Sequence, residues 1–148
     1  MTAGGCLRLR FYDDGDGTGK LVARAEANGF GGEGGAYFDK REVEDFATKL
    51  GAFPLPERTA IAGGFYSKER PGELGQVHLA IDCYPIDAKG HLGLRVRMST
   101  ERWAATRPDS QHSVALEILT TYAPLRRFSH ALVALLRGDA EEAILEGE

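Results

Sequence analysis

Cysteine is nearly absent, with only Cys6 and Cys83 among 148 residues. Two thiols make no disulfide framework of the kind that holds small secreted domains, so the chain must close on apolar burial, and a reducing cytoplasm suits it. Cys83 falls on the apolar parity of its segment and is expected buried, whereas Cys6 falls on the outer parity of the first strand. No apolar run approaches the roughly 20 residues of a membrane span. The start Met-Thr-Ala-Gly-Gly-Cys ends like a lipoprotein cleavage box. Only five residues precede Cys6, too few for the apolar stretch such a box requires, so lipidation is not expected. Basic residues are not in excess: 18 Lys and Arg against 22 Asp and Glu give a net charge of −4, which argues against a general nucleic-acid binder. The 43% hydrophobic and 27% charged composition is that of a globular chain, read as a single domain over residues 1–148.

Catalytic signatures are missing as well. The patterns H-E-x-x-H, C-x-x-C, G-x-x-x-x-G-K-[ST] and G-x-S-x-G do not occur, and no metal-ligand or nucleophile constellation replaces them. Gly29–Gly34 matches G-x-G-x-x-G and follows a strand. A dinucleotide site needs its last glycine to open a helix within a βαβ unit, yet Ala36-Tyr37-Phe38 intervenes here, so a sharp bend over Gly29–Gly35 is expected instead. Asp13-Asp14-Gly15-Asp16-Gly17 has the look of a calcium loop. The twelfth residue from Asp14 is Ala25, so the bidentate glutamate is missing and a hairpin turn is the better reading. His78 and Asp82 stand about 13 Å apart along one strand and cannot share a metal ion. No metal and no cofactor is expected.

What the chain does have is alternation. Gln76–Tyr84 and His91–Ser99 mirror each other across the turn 85–90. Folding Tyr84 onto His91 pairs Cys83 with Leu92, Ile81 with Leu94, Leu79 with Val96 and Val77 with Met98. Asp82, Ala80 and His78 then face Gly93, Arg95 and Arg97 on the other side. Cys6–Tyr12, Lys20–Asn28, Thr59–Tyr66 and His112–Thr121 complete six strands, the last pairing Leu116 with Val96 and Glu117 with Arg95. Two segments take helical spacing. Asp39–Leu50 carries Val43, Phe46, Ala47 and Leu50 on one face with an Asp39/Glu42 capping box, and Leu125–Arg137 carries Leu125, Phe128, Leu132, Leu135 and Leu136. Asp139 with Glu142 caps a short final turn bearing Ile144 and Leu145. The fold class is α+β: an antiparallel six-stranded meander, open or strongly curled, with one long C-terminal and one short helix on its apolar face.

The polar sheet face gathers Tyr66, His78, Asp82, Tyr84, His91, Arg95, Arg97 and Glu117. It reads either as a solvated surface laced by weak pairs such as Arg95–Glu117 or as a binding surface, since Tyr, His and Arg are favoured where a partner is gripped. Trp103, the single tryptophan, lies in the long loop 100–111 and is either an anchor for that loop or part of the grip.

The segments Gly29–Phe38, Phe46–Leu50, Tyr122–Phe128 and Leu135–Leu145 give the chain a resemblance to small bacterial proteins, some of them grouped with immunity proteins that neutralise secreted or contact-delivered toxins. That resemblance implies a non-catalytic binder of one protein partner and carries over no catalytic residue. The first expectation is therefore a cytoplasmic protein-binding module, immunity-type or accessory, with a free sheet edge that could support a homodimer. The alternative is a small-molecule-binding or hydrolytic domain with a pocket between the sheet and the Gly29–Gly35 bend.

Overall fold

The computed structural model describes residues 4–148, so the first three residues of the lipoprotein-like start lie outside it. The chain forms β1 (Cys6–Asp13), β2 (Thr18–Ala27), β3 (Phe30–Asp39), α1 (Lys40–Leu50), β4 (Thr59–Tyr66), β5 (Leu74–Pro85), β6 (His91–Ser99), β7 (Ser113–Thr121), α2 (Tyr122–Leu136) and β8 (Ala143–Glu146). All pairings are antiparallel. The α+β class stands, but the single six-stranded meander does not. The strands divide into two four-stranded sheets, ordered β3-β2-β1-β8 and β4-β5-β6-β7.

The largest departure is β3. The expected glycine bend is a strand, entered through a two-residue turn in which Asn28 and Gly29 take φ of 53° and 84°. Consecutive positive φ angles define the hairpin turn whose twist matches flanking strands, and Asn-Gly is its preferred sequence. The glycines that follow serve packing. A Cβ on Gly34 would stand 3.0 Å from Met98 Cβ in β6, and one on Gly32 would stand 3.1 Å from Val114 in β7. Toward its other end Phe38 and Ala36 press on Gly63 of β4, where a Cβ would come within 2.6 Å of the Phe38 ring. β3 thus crosses the second sheet strand by strand, and missing side chains on both sides allow the close approach.

The second departure is β8. Ala143 and Leu145 are buried while Ile144 and Glu146 are exposed, a strand alternation instead of the expected turn. β8 covers the side of β1 not used by β2, so β1 is not left as an open edge. Beyond it, Gly147 N–H donates to Gly5 O and Glu148 N–H to Leu119 O, tying the end of the first sheet to β7.

The β5–β6 hairpin keeps the expected faces but slides by two residues: Cys83 faces Leu94, Ile81 faces Val96 and Asp82 faces Arg95. The β6–β7 register agrees with expectation, with Arg95 opposite Glu117 and Val96 opposite Leu116. Both expected helices form. α1 buries Val43, Phe46, Ala47 and Leu50. Its Asp39 sits at the N-cap without a side-chain cap bond, because the β1–β2 turn serves that end: Gly17 O accepts Lys40 N–H at 2.8 Å and Asp13 binds the Lys40 ammonium at 2.8 Å. α2 begins three residues earlier than expected, with Pro124 in its first turn, where no intrahelical N–H is required. The helices lie against each other, and Ser129 donates to Ala47 O at 2.6 Å. One core joins both sheets and both helices, from Leu7 and Leu9 through Leu79, Ile81 and Leu94 to Phe128 and Leu132. Each such fully buried side chain contributes about 1.5–3 kcal/mol.

Candidate functional site

The outer face of the second sheet carries the residues singled out by the sequence, and its middle is internally satisfied. Tyr84 lies across Gly93, where an added Cβ would come within 2.6 Å of the ring, and its hydroxyl donates to Glu117. A glycine beneath an aromatic ring lets the ring cover exposed strand backbone. Burial first, and the Glu117 carboxylate second, push the Tyr84 phenol up to about 12. Arg58 reaches Asp82 at 2.9 Å, and Arg95 stands between Asp82 and Glu117 in the strand register. At the hairpin tip the ring of His91 meets Asp87 at 2.6 Å. That contact raises the histidine and lowers the carboxylate relative to their ordinary values. Tyr84, His91, Arg95 and Glu117 are thus on the surface, each beside a neighbour of complementary charge or hydrogen-bonding character.

His78 is a correction. It was expected on the solvated face opposite Arg97, yet it is 3% exposed, and Arg97 faces Ala80. The cause is a bulge. Gly63 pairs with Leu79 and Gly64 with Val77, leaving His78 as the extra residue on β5. Beyond the bulge Phe65 of β4 pairs with Gln76, and its ring stands edge-on to His78 with centroids 4.5 Å apart. Gln76 Oε1 lies 3.0 Å from His78 Nε2.

The same Gln76 clasps the loop after β6. Its side-chain amide donates to Arg102 O at 2.9 Å and its Oε1 accepts Arg102 N–H at 3.0 Å. The base of that loop is closed by Thr100 N–H to His112 O and His112 N–H to Thr100 Oγ1. Its crown is closed by Trp103 N–H to Thr106 Oγ1 and Thr106 N–H to Trp103 O. Trp103 touches Phe65 at 5.1 Å between ring centroids and stays 63% exposed. A cleft of about 420 Å³ opens beside it, lined by Gln76, Arg102, Trp103, Thr106 and Arg107 among others. Tyr66, next to Phe65, is also exposed.

A second concavity touches the Gly29–Gly35 segment, where the alternative reading expected a pocket, but its charged lining was not anticipated. The outer side of the first sheet holds a groove of about 870 Å³. Arg8, Arg10 and Arg24 line it together with Glu26, Glu33 and Glu142, and Cys6 and Gly31 form part of its wall. Glu142 lies 3.5 Å from both Arg8 and Arg10, so the balanced charges give the groove no strong preference for an anion. Cys6 points to this outer side as expected but is buried there at 7% exposure. Arg8, Arg10 and Arg24 alternating with apolar residues could have flagged a common face, but only the pairing of β1 with β2 brings them together. Four concavities among the described residues are lined by neither His78 nor Arg95 nor Arg97.

Asp13 and Asp16 are engaged in turn bonds to Gly15 and Thr18, as the hairpin reading anticipates. Among the described residues no group of three or more His, Cys, Asp or Glu could hold a metal ion, and no helix is long and apolar enough to cross a membrane. Compared with protein-family models, curated proteins and solved structures, the chain matches none of them.

Proposed function

We propose that this protein is a non-catalytic binding module, of immunity or accessory type, that grips one protein partner in the cytoplasm through the Trp103 loop, with the exposed Tyr66 and Arg97 as further contacts. One observation carries the reading: an exposed tryptophan held on a loop hydrogen-bonded at its base, flank and crown. Free apolar surface of that size is costly in water unless something covers it, and Trp with Arg nearby is the usual composition of an interface centre. The bonds that fix the loop lower the ordering entropy lost on association. Arg102 and Arg107 line the cleft beside Trp103 and suit a partner with acidic or carbonyl-rich surface. Tyr84 with Glu117 and His91 with Asp87 are already paired, and Arg95 stands opposite Asp82 and Glu117 in the strand register.

The test is affinity capture from the native host with wild-type and Trp103→Ala bait. A protein retained by wild type, and bound at least about thirtyfold more weakly by Trp103→Ala, supports the reading. Equal retention by both, with Trp103→Ala still folded by circular dichroism, removes it.

A further inference from the structure

The backbone of β3 leaves one side of the first sheet open. Ala27 and Phe30 face each other across the two-residue turn, and residues flanking such a turn exchange both their hydrogen bonds. Bonding alternates along the ladder. Gly32, Gly34, Ala36 and Phe38 therefore direct their N–H and C=O groups at β2, while Gly31, Glu33, Gly35 and Tyr37 direct theirs outward. β3 is the edge of its sheet. Among the described residues no backbone hydrogen bond from a turn, loop or other strand reaches it. The edge has no proline and no lysine, the residues that usually discourage pairing.

We propose that this edge pairs antiparallel with β3 of a second copy of the chain, about a two-fold axis at Gly34, joining the two first sheets into one. The sequence of the edge is complementary to itself in that register. Tyr37 faces the partner's Gly31 and Glu33 faces the partner's Gly35, so each large outward side chain meets a glycine. Both of these pairs, and their symmetry copies, have backbone groups already aimed across. Charge agrees as well. Lys20 leans over Gly35, its Cε 3.3 Å from where a Gly35 Cβ would be, with its ammonium 5.9 Å from the Tyr37 ring. Glu33 entering opposite Gly35 therefore meets the partner's Lys20, and symmetry repeats the ion pair. A slide of two residues in one direction would set Glu33 against the partner's Glu33, which like charge opposes. A foreign strand would have no reason to fit this alternation of glycine, glutamate and tyrosine.

Sedimentation equilibrium on the full chain from micromolar to millimolar concentration tests the pairing. The expected result is a mass that rises from monomer to dimer. Glu33→Pro removes an outward N–H that β2 does not use, and proline is tolerated at such an edge position; it should abolish the dimer with the circular dichroism spectrum intact. Lys20→Glu should weaken the dimer by about three- to thirtyfold, since it removes two exposed ion pairs and opposes like charges. The double exchange Lys20→Glu/Glu33→Lys should restore it, and it decides the matter if Glu33→Pro does not fold. A monomer at every concentration overturns the proposal, as does a dimer untouched by Lys20→Glu or not restored by the double exchange.

Discussion

Replacing Gly34 by valine probes the crossing of β3 over the second sheet. A Cβ at Gly34 would stand 3.0 Å from Met98 Cβ and 3.3 Å from Met98 Cγ. These atoms lie close to the β6 backbone, so the methionine cannot swing clear, and the two branch methyls of valine would need still more room. Overpacking of this kind costs about 1–3 kcal/mol. Removing a glycine from a strand interior in favour of a β-branched residue should by itself stabilise by up to about 1 kcal/mol, so a net loss isolates the steric term. For a domain of this size the net loss, up to about 3 kcal/mol, lowers Tm by up to about 12 °C, read by scanning calorimetry with urea unfolding alongside. Glu33→Val, compared at a concentration where the chain is monomeric, is the control one residue away: it sits on the outer side and should change stability by less than about 0.5 kcal/mol. If the two valine variants behave alike, β3 does not lie against β6 and the two-sheet packing is wrong.

Gly93→Ala should lose about 1–3 kcal/mol by displacing the Tyr84 ring, which sits 2.6 Å from the new methyl, and Tyr84→Phe combined with it should recover none of that loss. Ser129→Ala removes the buried bond to Ala47 O and should cost about 0.5–1.5 kcal/mol in urea unfolding. Burial raises Cys83 from 9.0, and burial with Glu117 raises Tyr84 from 10.0, each to about 12. The unfolded chain gives up these protons first, so stability is intact below pH 9 and falls as pH rises toward 12; Tyr84→Phe should flatten the fall above pH 10. At the hairpin tip Asp87 is lowered from 3.8 and His91 raised from 6.5. The aspartate's contribution is lost as pH falls through its folded value and the histidine's as pH rises through its own. Asp87→Asn should therefore remove a small stability maximum between about pH 4 and the raised histidine value, measured by thermal scans across pH.

Parity was legible in the sequence wherever large apolar residues alternate. Leu79, Ile81 and Cys83 declared the inner face of β5, and Leu92, Leu94 and Val96 that of β6. Register was less so, because every second position on those strands is apolar, and a slide of two residues keeps oil against oil. The β6–β7 pairing was fixed by a charge, Arg95 against Glu117, and came out in register. β3 escaped because glycine has no side chain to show periodicity; Asn28-Gly29 was its one signal. β8 escaped because four residues cannot separate a period of 2 from a period of 3.6. At the candidate site, exposure of Tyr66, Arg95, Arg97 and Glu117 followed from parity. The burial of His78 did not, since it depends on a bulge that brings Phe65 over it. Nor could the sequence show how exposed Trp103 is, since that depends on where the loop 100–111 carries the ring beside Phe65.

Because Trp103 is the single tryptophan, the intrinsic fluorescence of the native chain reports on the proposed contact directly. A water-exposed ring on a rigid loop should emit near the wavelength of free tryptophan, be open to acrylamide quenching, and still show the anisotropy of the whole molecule. Blue-shifted emission shielded from acrylamide would mean a buried anchor, and low anisotropy a loose loop; either result would contradict the proposal that Trp103 is a preformed contact for a partner.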